Sequence, residues 1–206
     1  EPVTVSGLTS GVTAIASGQH HHCALLTTGA VKCWGYGETG QAGTGGTGQF
    51  NSPVDAVALT DRATQIVAGH QHTCALTVTG GVKCWGLNTT GQAGNAGAGG
   101  YPSRPVDVTG LTSGVSSVAS GDSHSCVVTS SGGVKCWGVN SSGQLGDNSL
   151  TNRSTPVDVS GLTSGVSAVS SGGSHSCALT TSGGVKCWGS NSNGQLGDNT
   201  TTNSRL

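Results

Sequence analysis

The chain has 206 residues, with 37 glycines, no methionine, one phenylalanine and only 8% charged residues. Its formal net charge of −1 at pH 7 excludes the basic surface that binds nucleic acids or anionic membranes. No apolar run approaches the roughly 20 residues of a membrane-spanning helix, so we expect no membrane span. Such a composition favours disorder unless small units bury their apolar side chains against one another.

One unit of about 51 residues occurs four times in succession. Spacings of 51, 52 and 51 residues separate the four tryptophans, Trp34, Trp85, Trp137 and Trp188. A Pro-Val pair recurs at the same spacings, beginning at Pro2, Pro53, Pro105 and Pro156. We therefore divide the chain into repeat 1 (residues 1–52), repeat 2 (53–104), repeat 3 (105–155) and repeat 4 (156–206).

The predicted elements of one unit, taken along repeat 4, are short β-strands. The run PVDV begins at Pro156, and proline suits the start of a strand or the edge of a sheet. VSAVS, from Val166, alternates apolar and small residues at the period of a strand. SHSCALT and GVKCWG follow, joined by a tight turn at residues 182–184. No helical period persists, so each unit predicts about four antiparallel strands, as in a propeller blade.

A loop rich in Gly, Asn, Ser and Thr closes each unit and carries the differences between units. Repeats 3 and 4 have GQLGDN at residues 143–148 and 194–199, whereas repeats 1 and 2 have other sequences after GQAG. Because functional surfaces are concentrated in loops, we expect any specific role to lie in these loops and not in the shared strands.

The eight cysteines form four pairs, each with a separation of ten residues: Cys23 with Cys33, Cys74 with Cys84, Cys126 with Cys136, and Cys177 with Cys187. A three-residue turn places the two cysteines opposite each other, with their Cα atoms about 4.5 Å apart, as a disulfide requires. Closing so short a loop stabilises by roughly 2–3 kcal/mol per bridge. Four disulfides predict an oxidising compartment, so we expect a secreted, extracellular or cell-surface protein.

A histidine lies two residues before the first cysteine of each pair, at His21, His72, His124 and His175. With two thiolates it would supply three ligands, the number that a catalytic zinc uses. However, there is no second Cys-x-x-Cys knuckle, and the hairpin brings the two thiols together. We therefore predict that the protein binds no metal or cofactor. We expect each histidine ring to hydrogen-bond a neighbouring turn. The alternative is a metal-dependent protein.

No recurring set of side chains predicts catalysis, because no nucleophile or carboxylate accompanies the histidines at catalytic spacing. We expect no enzyme. The four tryptophans share one register, so we expect them to pack within the blades with the indole N–H on a backbone acceptor. Four sequences match the N-glycosylation acceptor pattern, at Asn88, Asn140, Asn152 and Asn199.

The unit G-x-x-H-x-C-A-L-x-x-x-G-x-V-K-C-W-G-x-N-x-x-G-Q-L-G, from Gly172 to Gly197, resembles the regulator of chromosome condensation repeat. The likeness recurs four times, and the cysteine-bearing form is similar to secreted bacterial members of that family. The resemblance implies an all-β propeller of four-stranded blades, usually seven around an axis. No insertion here could supply the β-wedge of the nuclear exchange factor, so the resemblance implies protein binding without naming a partner.

Four units are part of a seven-bladed ring, so we expect an arc with an uncovered blade face at each end. The chain opens at Glu1 without a signal segment, and we interpret it as a mature or excised segment. Because the units are alike, the last face of one molecule should fit the first face of another, in a ring or a filament.

Three functional hypotheses follow from this arrangement. The first is a secreted, non-enzymatic scaffold that associates with itself head to tail. The second is a part of a larger secreted propeller that binds another extracellular protein. The third is a metal-dependent protein that uses the repeated His and Cys sets.

Overall fold

The computed structural model of the protein describes residues 1–97 and 99–206. Within these ranges it is an all-β structure. The first two sheets contain β1 (Val12–Ser17), β2 (His21–Leu26), β3 (Val31–Tyr36) and β4 (Gln49–Asp55), then β5 (Ala63–Ala68), β6 (His72–Thr77), β7 (Val82–Gly86) and β8 (Val106–Asp107). The others contain β9 (Val115–Ser120), β10 (His124–Thr129), β11 (Val134–Gly138) and β12 (Arg153–Asp158), then β13 (Val166–Ser171), β14 (His175–Thr180) and β15 (Val185–Gly189).

Each sheet is an antiparallel meander in which strand order follows chain order, and we call the sheets blades 1 to 4. In blade 4 the fourth position holds an isolated bridge between Gly189 and Ser204. The expected fold class, four repeats of propeller-type blades, is confirmed. No helix in the described residues has the length and apolar character that crossing a membrane would demand.

The central hairpin of each blade turns through three residues. In blade 4, Thr180 N–H donates to Gly184 O at 2.8 Å, and Gly183 N–H donates to Thr180 O at 3.0 Å. Gly183 has φ +86°, a left-handed conformation that this loop type requires at its last position. The turn fixes the register, so that Cys177 lies directly opposite Cys187, as the ten-residue spacing predicts.

The Pro-Val-Asp run completes the sheet of the preceding repeat and does not begin a sheet of its own. Val106 pairs with Cys84 and Asp107 with Lys83, so residues counted in repeat 3 form the outer strand of blade 2. The physical reason is that the third strand leaves an open edge, and the chain returns to it after the loop. Blades therefore extend over 12–55, 63–107, 115–158 and 166–189, and the boundaries of the sequence units are offset from those of the sheets.

The apolar cores lie between blades, because each core joins side chains of two consecutive sheets. One cluster contains Leu25 and Val31 of blade 1 with Ile66 and Trp85 of blade 2. Equivalent clusters bury Trp137 between blades 2 and 3, and Trp188 between blades 3 and 4. Trp34 of blade 1 is only half-buried, since no described sheet precedes it. A blade is thus stabilised mainly by its neighbours.

Candidate protein-interaction site

Each contact between consecutive blades contains one hydrogen-bonded set. At the contact of blades 1 and 2, Nε2 of His21 lies 2.9 Å from Oγ1 of Thr73. The Thr73 hydroxyl donates to the main-chain carbonyl of Gln41 at 3.1 Å. The same carbonyl accepts the indole N–H of Trp85 at 2.8 Å. Two elements of blade 1, the strand β2 that begins at His21 and the loop 37–48 that contains Gln41, therefore bind blade 2. We call this loop, which lies between the third and fourth strands of a blade, the Gln loop.

Two bonds of the set recur at both other contacts. They join His72 to Ser125 (2.9 Å) and Trp137 to the carbonyl of Gln92 (2.9 Å), then His124 to Ser176 (2.8 Å) and Trp188 to the carbonyl of Gln144 (2.9 Å). The third bond recurs where Ser176 donates to the Gln144 carbonyl at 3.2 Å, whereas the Ser125 hydroxyl lies 3.0 Å from that of Ser120. The expectation that the histidines bond a neighbouring turn was wrong, because the partner of each ring is a strand hydroxyl about 52 residues away on the next blade.

The Gln loop is a functional element that the sequence reasoning missed. Oε1 of Gln144 accepts the main-chain N–H of Ser142 at 2.9 Å, so the side chain is folded back into its own loop. This conformation leaves the Gln144 carbonyl pointing at blade 4, where Trp188 and Ser176 donate to it. Leu145 is also fully buried. The GQ pair in all four units was the available signal, and its role is structural. The expectation that any specific role lies where the loops differ between units stays a prediction.

Burial keeps the linking histidines neutral. Burial, together with the nearby His124 and His21, lowers the pKa of His72 to about 3. Burial likewise lowers the pKa values of His21 and His124 to about 4. Since Thr73 gives its single proton to Gln41, the His21 ring donates from Nε2, and its Nδ1 is a buried lone pair without a partner. Protonation would place an unpaired N–H there, which explains the direction of the shift.

A glycine behind each histidine makes room for the ring. A Cβ added at Gly69 would lie 2.5 Å from the carbonyl oxygen of Gly121 and still closer to Cε1 of His72. Gly18, on blade 1, has the same relation to His21 and to Gly69. One cavity to which all four blades contribute is lined by Gly18, Gly69, Gly121 and Gly172. The repeating Gly permits both the buried ring and the close approach of consecutive backbones.

The structure pairs all eight cysteines as four disulfides, each within one blade: Cys23–Cys33, Cys74–Cys84, Cys126–Cys136 and Cys177–Cys187. Their Cα atoms are 4.0 to 4.1 Å apart, slightly less than the roughly 4.5 Å expected for residues directly opposite in a hairpin. No cysteine is free in the described residues. The hypothesis of a metal-dependent protein loses its thiolate ligands, because every sulfur is already bonded to another.

Two of the four predicted glycosylation positions are inaccessible in the folded chain. Asn140 is buried, and its Nδ2 donates to Oδ1 of Asp147 at 3.0 Å. Asn88 is also buried, and its Nδ2 donates to Oδ1 of Asn95 at 3.2 Å. These amides hold the Gln loop in place, so they cannot carry a glycan in this fold. Asn152 and Asn199 are exposed, and glycosylation there stays a prediction.

The end of the arc at blade 4, which we call the tail face, exposes side chains that are buried elsewhere. Val185 is 67% exposed, whereas Val134, at the same position of blade 3, is 0% exposed. Leu179 is 42% exposed, and its equivalent Val128 only 1%. His175 lies on this face, and no hydroxyl of a following blade reaches its ring in the described residues. The tail face is therefore one half of a blade contact.

The other end of the arc, which we call the head face, has the complementary half. Ile15 is 73% exposed, whereas its equivalent Val118 is 2% exposed. The Trp34 indole meets no Gln carbonyl within the described chain. His22 stands where the later blades have Thr or Ser, and its ring lies against Trp34 with ring centroids 5.7 Å apart. The head face thus keeps the tryptophan of an intact contact and departs from it at His22.

Comparison with known proteins identifies this architecture. The family model described as the regulator of chromosome condensation (RCC1) repeat matches residues 12–41, 63–92, 115–144 and 166–195. A second model with the same description matches residues 28–76, 79–128 and 131–179. Both sets of matches recur at the period of the blades.

Similar proteins are longer than this chain. The probable E3 ubiquitin-protein ligase HERC6 of Homo sapiens is 33% identical over 203 residues, which are 94% of this chain and 20% of that protein. The crystal structure of human WBSCR16 superposes with a TM-score of 0.87 at 25% identity, covering 98% of this chain and 53% of the other. For yeast RCC1 (Prp20), solved with Kap60 bound, these values are 0.82, 23%, 98% and 49%. The chain thus spans about half the length of these structures.

Proposed function

Because the chain belongs to the regulator of chromosome condensation (RCC1) repeat family, we propose that it is a non-enzymatic, protein-binding arc of blades that takes further blades on its two open faces. The observation that carries the proposal is the exposure of Val185 and Ile15, whose equivalents are buried in every intact contact. A tail face and a head face are the two halves of that contact. The partner with the best fit is therefore a second copy, bound head to tail.

The energetics of the faces favour association. Each large apolar side chain that becomes buried contributes roughly 1.5–3 kcal/mol, and Ile15, Leu179 and Val185 all become buried when the faces meet. The association must also offset the loss of translational and rotational freedom. Because each blade is already cross-linked by its own disulfide, a contact of the internal kind between blades adds little ordering cost. Because the contact is heterologous, repeated addition produces a ring or a filament.

The chemistry of the cross-links supports a location outside the cell. All eight cysteines are in disulfides, which persist in oxidising compartments and are rare in the cytosol. We propose that the assembled arcs form an extracellular or cell-surface scaffold. Nothing in this role requires a cofactor or a catalytic residue.

A second candidate function is favoured by the lengths of the relatives. The chain spans 20% of HERC6 and about half of the two solved structures. In a longer protein, other blades of the same chain would cover the head and tail faces, and the completed propeller would bind another protein. Yeast RCC1 (Prp20), whose structure superposes on this chain, was solved with Kap60 bound, so a protein with this fold occurs in a complex with another protein.

Complementary blocking of the two faces tests the proposal. Ile15→Asp blocks the head face and Val185→Asp blocks the tail face, and both side chains are exposed, so each variant should fold. Sedimentation velocity over a range of concentrations should show association of the unaltered chain and only monomers of either variant. A 1:1 mixture should form a dimer and nothing larger, because one open tail meets one open head.

A matched control is available on the side of the arc. Val78 is exposed in the turn of blade 2, away from both faces, and Val78→Asp should associate like the unaltered chain. An unaltered chain that stays monomeric at all concentrations would overturn self-association and favour the second candidate. Association that survives in both blocked variants would mean that other surfaces are responsible.

A further inference from the structure

The third strand of blade 4 has an edge that the other blades fill. In blade 2, Val82 N–H donates to Leu111 O at 2.8 Å, and Val108 N–H donates to Val82 O at 3.0 Å. In blade 3, Val134 N–H donates to Leu162 O, and Val159 N–H donates to Val134 O. Val185 has neither bond in the described residues. Its backbone N–H and C=O are therefore available to an added strand.

The lysine on this edge also lacks its usual partner. Lys32, Lys83 and Lys135 each form an ion pair with the aspartate of the adjacent fourth strand, with Nζ–Oδ1 distances of 2.8, 2.6 and 2.7 Å to Asp55, Asp107 and Asp158. Lys186, at the same position of β15, has no carboxylate opposite it within the described ranges. β15 thus has an open edge with the backbone N–H, the backbone C=O and the lysine that pair with a fourth strand in the other blades.

Residues 2–8 are a fourth strand without a sheet. The sequence PVTVSGL of residues 2–8 occupies the repeat position of PVDVTGL at 105–111. Leu8 N–H donates to Val5 O at 3.2 Å, as Leu111 N–H donates to Val108 O at 3.0 Å, so the turn after the strand already has its internal form. Val3 is 87% exposed and no strand lies beside it in the described chain.

We propose that residues 2–5 of one molecule add as the fourth strand to β15 of a second copy. The inference rests on the proposed function and specifies how the two faces join. The register follows from the internal blades: Val3 lies opposite Cys187, and Thr4 opposite Lys186. Val5 N–H donates to Val185 O, and Val185 N–H donates to Leu8 O. Strand addition of this kind supplies main-chain hydrogen bonds and fixes the register of the apolar faces.

The same docking brings the remaining parts of the contact together. With residues 2–5 on β15, the Trp34 indole of the molecule that supplies these residues lies where Trp188 lies against blade 3. It faces the Gln195 carbonyl of the copy that supplies β15. Two residues depart from the internal contacts: Thr4 replaces the aspartate that pairs with lysine, and His22 replaces the hydroxyl that bonds His124 or its equivalents. The contact between copies is therefore weaker than the internal ones and reversible.

The departure at Thr4 gives a gain-of-function test. Thr4→Asp supplies Lys186 with a carboxylate, and exposed ion pairs contribute about 0.2–1 kcal/mol, so the dissociation constant should fall about 1.4- to 5-fold at low salt. The gain should vanish at high salt and in the Thr4→Asp/Lys186→Gln double variant. Thr4→Asn, which has nearly the same size and no charge, is the control and should bind like the unaltered chain. Sedimentation equilibrium measures all of these constants.

A loss-of-function variant addresses the main-chain bonds. Val5→Pro removes the N–H that donates to Val185 O but keeps an extended backbone, so association should weaken about tenfold or more. If Thr4→Asp and Val5→Pro both leave the dissociation constant unchanged while the face-blocking variants abolish association, the faces meet without strand addition and this inference fails alone. If the unaltered chain does not associate, the inference and the proposed function fail together.

Discussion

Trp137 and Trp34 occupy the same position in two repeats, but only Trp137 lies in an intact blade contact. The Trp137 indole is fully buried and donates to the carbonyl of Gln92 at 2.9 Å. Trp34 is half-buried on the head face and meets no Gln carbonyl in the described chain. A backbone carbonyl buried without a donor costs free energy, so the two tryptophans are expected to differ in what their N–H groups contribute.

Trp137→Phe should therefore destabilise the chain far more than Trp34→Phe. The phenyl ring retains much of the packing, but the Gln92 carbonyl loses its indole donor, which costs about 1–3 kcal/mol. Trp34→Phe breaks no such bond in the isolated chain and should cost much less. Urea unfolding of both variants at low protein concentration, where the head face is uncovered, measures the difference. Equal losses would mean that the hydrogen bond contributes nothing beyond ring volume.

At the level of residues, sequence reasoning identified which positions repeat but not all of their partners. The expectation of a backbone acceptor for the indole was correct, because a buried N–H requires one. The acceptor itself is the Gln92 carbonyl, 45 residues earlier than Trp137, and no side-chain pattern marks a main-chain atom. The hydroxyl partner of His72 is 53 residues later for the same reason. Contacts between blades depend on how the arc curves, which a single unit does not encode.

The disulfide hairpin is the element on which each blade depends. Cys126 and Cys136 are fully buried between blades 3 and 4, directly opposite each other on β10 and β11. In the chain-entropy account, the bridge acts mainly on the unfolded chain, whose freedom it restricts. The blades contain few large apolar side chains, so this restriction is a large part of what keeps each hairpin folded.

The double variant Cys126→Ala/Cys136→Ala should lose roughly 2–3 kcal/mol of unfolding free energy, because the unfolded chain regains the conformations that the bridge excludes. Packing losses add to this, because both sulfurs are fully buried. Cys177→Ala/Cys187→Ala removes a bridge that closes a loop of the same length. Because Cys177 is half-exposed on the tail face, the packing loss of this variant should be smaller. Urea unfolding under oxidising conditions compares the two. A null effect of the first variant would contradict the stabilising role of the cross-links.

At the level of elements, the hairpin was predictable and the phase of the sheets was not. Ten residues between cysteines and a Gly-containing turn specify a local register, which the structure has. Pro156–Asp158 was expected to begin a blade, yet it pairs with β11 of the preceding one, Val157 opposite Cys136. Both arrangements satisfy the alternation of the strand. The choice depends on which edge is open when the chain returns, and that is a property of the preceding sheet.

The whole molecule is an array of four blades that is stabilised by three contacts between consecutive blades. The head face and the tail face lack such a contact in the described residues. Each contact contains one buried neutral histidine, at His21, His72 and His124. Because the contacts are alike, any condition that weakens one weakens all three, and cooperative unfolding sums their responses. His175 has the same place in the sequence but lies on the tail face without a following blade. We therefore attribute the pH dependence of stability to the three histidines at the blade contacts.

Acid should destabilise the folded arc between pH 6.5 and about 4. In the unfolded chain the three histidines bind protons as pH falls below about 6.5, whereas in the folded chain burial keeps them neutral until pH 4 or below. The unfolded state then binds more protons, so stability decreases with falling pH, by roughly 1–2 kcal/mol per pH unit for each histidine and roughly 4 kcal/mol per pH unit for three.

Urea midpoints measured from pH 8 to pH 4 should be constant above pH 7 and fall steeply below pH 6.5. His72→Gln should remove about one proton from the slope. Constant stability from pH 7 to pH 4.5 would show that the histidines at the blade contacts take up protons without unfolding, against the buried, neutral state assigned to them.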